Sequence, residues 1–260
     1  MLKKCACIET LFTELPFLER FLAAKKAGFD TVEFWSWDDK DLDAIAAAAK
    51  DAGIPIHAFS GDKDYSLIDP SQQERYLEFL RRSVKAANQL DCKQLVIHSN
   101  ALGEGGIVVE HYDDLTDSLK EITMFQALTE AAKIAEAGGV TLVLEALNIV
   151  CDHVGNFLTT TAMGAEMVRT IGSPNLKLLY DAYHMQYNEG KLCYTVQEYC
   201  DCIGHVHIAD VPGRHEPGTG EINYRAVISA LEDSGYAGQL GFELFPKEST
   251  PQAVAAIMAL

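Results

Sequence analysis

Along this chain, short runs of continuous or alternating apolar residues change places with longer stretches whose apolar positions recur every three or four residues. The first pattern marks a strand and the second an amphipathic helix. Strands are expected at Lys4 to Glu9, Thr31 to Trp35, Ile54 to Phe59, Gln94 to His98, Thr141 to Leu147, Leu176 to Tyr180, Gly204 to Ala209 and Gln239 to Leu244. Helices are expected between them at Pro16 to Ala27, Asp41 to Ala52, Ser71 to Leu90, Asp114 to Ala137, Thr161 to Thr170, Thr195 to Cys202 and Tyr224 to Ser234, with a last one from Thr250 to Met258. Repeated strand-then-helix units imply parallel strands joined by right-handed crossovers. Eight of them in 260 residues predict an α/β fold of the (β/α)₈ TIM barrel type, one domain over residues 1–260. An open doubly wound sheet is the competing architecture, but no Gly-x-Gly-x-x-Gly turn follows the first strand.

Composition narrows the class. With 48% hydrophobic residues the chain can bury a large core, and no apolar run is long enough to cross a bilayer. The N-terminus MLKKCACIETLF has a basic start, but Glu9 cuts its apolar run and no small-residue cleavage site follows, so it reads as a first strand. The seven cysteines are odd in number, and Cys5/Cys7 and Cys200/Cys202 have C-x-C spacing, which fits ordinary thiols in a cytoplasmic setting. A net charge of −17 disfavours nucleic acid and anionic membrane as partners and points to a small-molecule substrate. Barrels of this size often associate, so a homo-oligomer is compatible with the sequence, which does not say through which surface.

The active site of such a barrel forms at the C-terminal ends of its strands. Strand 5 (TLVLEALN) places Glu145 there, strand 6 (LKLLYDAYH) Asp181 and then His184, strand 7 His207, and strand 8 (QLGFELF) Glu243. Singly, each acid could pair with a base or cap a turn. Three acids and an imidazole on four consecutive strands, with few basic residues nearby, repel one another unless a cation is shared. Oxygen ligands with one imidazole favour Mn²⁺, Mg²⁺ or Co²⁺ over a sulfur-rich zinc site.

Strand 7 opens the stretch IGHVHIADVPGRHEPGTGEI, Ile203 to Ile222. His205 and His207 are two apart and share one face of the strand. The two prolines and three glycines of VPGRHEPGTGE build a shaped loop with Arg214 and His215 in its middle. Arg214 suits a bidentate contact to a carboxylate, or it pairs with Glu216 to hold the loop. His57, in strand 3, is a candidate oxygen donor or a structural residue; Trp35 and Trp37, after strand 2, wall a pocket or pack the barrel.

The strings LVLEALN, LLYDAYHMQ, GHVHIADVPGRHEPGTGEINY and GFEL, in that order and spacing, resemble the hydroxypyruvate isomerase family within the xylose-isomerase-like barrels. The resemblance covers nearly the whole chain and is weaker before about residue 90. It implies that Glu145, Asp181, His207 and Glu243 bind the metal, that Glu145 and Glu243 double as the acid/base pair, and that His184 and Arg214 contact substrate. The sequence departs from the pattern in two places. Members that isomerise hydroxypyruvate commonly carry Gln where this chain has His207, whereas the related ketose 3-epimerases carry His. The run IVCDHVGNFLTT after Asn148 is one residue longer than usual, which leaves the role of Asp152 open.

The expected chemistry is transfer of a proton between adjacent carbons of a hydroxy-oxo compound, with a metal lowering the acidity barrier and a glutamate on each side of the carbon chain. Hydroxypyruvate to tartronate semialdehyde is the first substrate reading, 3-epimerisation of a free ketose the second. A barrel that binds a sugar or a partner without turnover is the third, and it has no need of a flanking acid/base pair.

Overall fold

The computed structural model of the chain describes residues 2–260. Eight parallel strands close into a barrel in sequence order, β1 (Lys3–Cys7), β2 (Thr31–Phe34), β3 (Ile56–Ser60), β4 (Gln94–His98), β5 (Thr141–Glu145), β6 (Leu176–Asp181), β7 (Ile203–His207) and β8 (Gln239–Phe242). Around it run α1 (Glu19–Ala27), α2 (Leu42–Ala52), α3 (Gln73–Gln89), α4 (Asp117–Gly138), α5 (Thr161–Ile171), α6 (Ala182–Asn188), α7 (Leu192–Tyr199), α8 (Tyr224–Asp233) and α9 (Thr250–Met258). No helix among the described residues is long and apolar enough to cross a membrane, and the seven cysteines are free thiols.

Alternation along each strand makes two apolar layers. Outward residues such as Ile97, Leu144, Leu178, Val206 and Phe242 join the helices in the main core. Inward residues Ala58, Val96, Val143 and Leu179 form a separate small cluster inside the barrel. The helices obey their end signals: Thr116 accepts a hydrogen bond from the Leu119 N–H at the start of α4, and Gly139, at φ 67°, closes it in the left-handed conformation.

The departures from expectation are local. Strands 5 and 8 stop at Glu145 and Phe242, earlier than the apolar runs suggest, because Ala146, Leu147 and Leu244 are buried by loops that do not continue the ladder. Helix α7 starts at Leu192, and Cys200–Cys202 finish that segment as a 3₁₀ turn. Helix α6 was not expected. It exists because Asp181 Oδ1 accepts from the backbone N–H of Tyr183 (2.8 Å) and His184 (3.3 Å), satisfying two donors of its first turn.

Candidate active site

Register brings the polar strand ends together. Asp181 pairs with His207 across β6 and β7, His207 with Gly241 across β7 and β8, and His98 with Glu145 across β4 and β5. One donor atom from each of Glu145, Asp181, His207 and Glu243 lies within 4.8 Å of the others, and all four residues are buried. His207 Nδ1 stands 3.2 Å from Glu243 Oε2, 3.9 Å from Glu145 Oε1 and 4.0 Å from Asp181 Oδ2. Nδ1 of His207 and Oε1 of Glu145 nevertheless have no hydrogen-bond partner. Buried polar atoms are nearly always hydrogen-bonded. Oxygen and nitrogen atoms that converge without bonding one another are what a divalent cation needs, so the donor set fits such an ion.

Each acid is held by groups outside the four. Glu145 Oε2 lies 3.2 Å from His98 Nε2, and His98 Nδ1 lies 3.1 Å from Asp62 Oδ1. Burial alone would lower the His98 pKa, but the carboxylates of Asp62 and Glu145 outweigh it and push it up to about 10, so His98 is a cation at neutral pH. Glu243 accepts from the Trp35 indole N–H at 2.5 Å. Burial opposes its ionisation, yet Arg214 and His207 hold its pKa well below the usual carboxylate range. Asp181 spends Oδ1 on capping α6 and turns Oδ2 to the cluster; burial and the neighbouring Glu145 carry its pKa up to about 7 against the pull of Arg214.

Arg214 reaches this cluster and not Glu216. Its guanidinium lies 3.2 Å from Asp181 Oδ2, contacts Glu243 Oε2, and sits 5.1 Å over the Tyr183 ring. The loop that carries it is built round Asp210, a fully buried acid that the sequence reading missed. Asp210 Oδ1 accepts from the N–H of Val211 and Ile222 at 3.0 Å each, and Oδ2 from Gly218 (2.8 Å) and Gly220 (2.9 Å). Its one signal was an isolated acid between an apolar strand and a Pro-Gly pair. Glu216 accepts instead from the Lys247 N–H at 2.9 Å, and Arg214 O accepts from the Phe245 N–H at 2.8 Å, which ties the loop to the segment after β8.

The other candidates divide. His184 lines the cavity, buried, with Nε2 3.4 Å from Asp181 Oδ2. Trp35 forms its lip, 44% exposed, with Phe245 beside it at 46%. Trp37 packs on α3, its indole N–H on Ser83 Oγ at 2.9 Å. His57 is not among the cavity-lining residues: its ring packs edge-on against His205 at 4.7 Å, inside the barrel. Asp152 lines the mouth and accepts from Asn148 Nδ2 at 2.8 Å. Sequence reading also passed over Glu33, Asp62 and His98, all of which line the cavity. The cavity holds about 630 Å³, so the donors have room for a substrate of several carbons above them.

Comparison with known proteins agrees with this architecture. Residues 21–260 match the model of the family described as xylose isomerase-like TIM barrel. The hydroxypyruvate isomerase of Escherichia coli (strain K12) is 32% identical over 96% of this chain and 96% of its own length. The 2-oxo-tetronate isomerase of Pectobacterium atrosepticum is 29% identical over 96% of this chain and 94% of its own. A crystal structure described as AP endonuclease, family 2, from Brucella melitensis superposes with a TM-score of 0.90 at 30% identity, covering 100% of this chain and 99% of that one. The D-psicose 3-epimerase of Clostridium cellulolyticum H10, solved with D-tagatose, shares the fold at a TM-score of 0.84 and 21% identity, over 99% of this chain and 98% of that one. On fold and sequence together, the chain belongs to the xylose isomerase-like TIM barrel family, and its relatives there include isomerases of small oxo acids.

Proposed function

We propose that this isomerase interconverts a small hydroxy-oxo acid, hydroxypyruvate and tartronate semialdehyde being the best-fitting pair, with a divalent cation (Mn²⁺, Mg²⁺ or Co²⁺) held by Glu145, Asp181, His207 and Glu243. The observation that carries it is the convergence of those four donors within 4.8 Å at the mouth of the barrel. A cation bound there supplies a Lewis acid that makes the C–H beside the substrate carbonyl acidic enough to lose. The remaining work falls to the chain. One of the two glutamates takes the proton from C3, and a glutamate returns a proton to C2, while the hydroxyl proton passes from the C3 oxygen to the C2 oxygen. Glu145 and Glu243 come from strands three apart, so they flank the bound carbon chain from different sides.

His184 offers an N–H to a substrate oxygen, and Arg214 a planar fork that suits a carboxylate. Trp35 and Phe245 stand at the lip, where closure over substrate would exclude water. The test is incubation with Mg²⁺ in D₂O followed by NMR. Product together with deuterium at the exchanging carbon supports the reading, and absence of both across small hydroxy-oxo acids removes it.

A 3-epimerase of free ketoses is the second reading, favoured by His207 and by a cavity much larger than a three-carbon acid. Turnover of tagatose or fructose above that of hydroxypyruvate would select it.

A further inference from the structure

Beneath the four donors the barrel interior is not filled with aliphatic side chains on every side, as barrels of this kind usually are. On the β1, β2, β7 and β8 side it holds a buried column of Glu33, His205 and His207, with His57 packed on His205 below. Glu33 Oε2 lies 2.7 Å from His205 Nε2, and Glu33 Oε1 lies 3.2 Å from His207 Nε2. The last two atoms are buried, and at that distance they face each other without a hydrogen-bond partner among the described residues, so each is the nearest polar group left to the other.

Space for this arrangement exists because position 241 is glycine. A Cβ there would meet Glu33 Oε1 at 2.5 Å, His207 Cδ2 at 2.7 Å and His205 Nε2 at 2.8 Å. A carboxylate this deep costs free energy that its partners only offset, and packed apolar residues commonly serve stability as well or better. Stability alone therefore does not account for it.

We infer that Glu33 is the positioning residue of the metal centre: gripped by His205, it takes the Nε2–H of His207 and so presents the Nδ1 lone pair to the cation. The inference rests on the metal reading above. It follows from the two faces of one imidazole, since Nδ1 looks into the ring of acids and Nε2 looks away from it towards Glu33. A histidine ligand whose other nitrogen donates to a carboxylate is fixed in tautomer and orientation, and loss of such a partner weakens metal binding by roughly 10- to 100-fold. His205 supports Glu33 at one remove, and neither touches the cavity donors Asp181 or Glu145.

The experiment measures Mn²⁺ binding by the electron paramagnetic resonance signal of the free ion, with the nitrogen coupling of the bound ion as a second readout, in wild type, Glu33→Gln and Gly241→Ala. Gly241→Ala keeps every donor but crowds Glu33, His207 and His205 together, so it perturbs the packing of the whole column, and it serves if Glu33→Gln does not fold. Both variants are expected to bind Mn²⁺ about 10- to 100-fold more weakly, with altered nitrogen coupling. Affinity within twofold of wild type in a folded variant, with unchanged coupling, overturns the inference and leaves the metal reading intact. A wild type that binds no Mn²⁺ overturns both. Two Mn²⁺ per wild-type chain, one of them lost in Glu33→Gln, overturns it differently, by making Glu33 a ligand.

Discussion

Asn148 donates an amide hydrogen to Nδ1 of His184 at 2.8 Å, and that bond decides what the imidazole offers the cavity. The amide cannot be turned round, because its Oδ1 already accepts from the N–H of Cys151 (3.1 Å) and Asp152 (3.3 Å). Nδ1 must then accept, which puts the proton on Nε2, facing Asp181. Burial, with Arg214 and His153 nearby, holds the His184 pKa well below its ordinary value, so the ring is a neutral N–H donor throughout the working range.

Asn148→Asp reverses this relationship. A carboxylate at Nδ1 raises the His184 pKa and makes the ring a cation at neutral pH. The cationic ring keeps its Nε2–H, but its charge opposes a cation at the neighbouring acids, so the expected result is a fall in kcat/KM with a new ionisation in the pH–rate profile. An unchanged profile would show that His184 does not contact the reacting oxygens.

Removing Asp210 leaves four backbone N–H groups in the Arg214 loop without their acceptor, three of them on residues 211, 218 and 220. Each unsatisfied buried donor costs about 1–3 kcal/mol, reduced where water can enter. Asp210→Ala should lower stability by at least about 3 kcal/mol in denaturant unfolding and raise KM through the displaced Arg214.

A divalent cation bound by the four donors should stabilise the protein. A ligand that binds only the folded chain at 100 times its Kd adds about 2.7 kcal/mol. For a chain of this size that is a rise in Tm of about 5–11 °C, by the usual 2–4 °C per kcal/mol. Thermal melts with Mn²⁺ and with a chelator check it, and Asp181→Ala should abolish the difference.

His98 predicts a pH dependence of the metal-free protein. Its folded pKa, pushed up to about 10, lies above the unfolded value of about 6.5. More protons are bound in the folded state between those values, so the contribution is complete below about pH 6.5 and is lost as pH rises through about 10. Unfolding of wild type and His98→Gln should therefore converge as pH is raised from 6.5 to 10; a constant gap would mean that the Asp62–His98–Glu145 chain carries no charge.

Much was legible in the sequence because barrels repeat a local pattern. Period-two and period-3.6 runs located all eight strands and most helices, and the acids at the ends of β5, β6 and β8 stood out because a charge closing a mostly apolar run has no cheap place to go. The missed helix α6 depended on one side-chain cap, and the misplaced strand ends on where loops rather than ladders cover apolar residues.

What the chain order alone determined was which side chains arrive at the mouth of the barrel: Glu145, Asp181, His184, His207, Arg214 and Glu243. What only the closed barrel decided is which of them meet. Closure set β8 against β1, brought Glu33 beneath His207 although they are far apart in sequence, placed Arg214 on Asp181 and Glu243 instead of Glu216, and left His57 against His205 away from the cavity. Those contacts follow from strand register and from the room left by Gly241, and both are properties of strands packed side by side, which no local run of residues encodes.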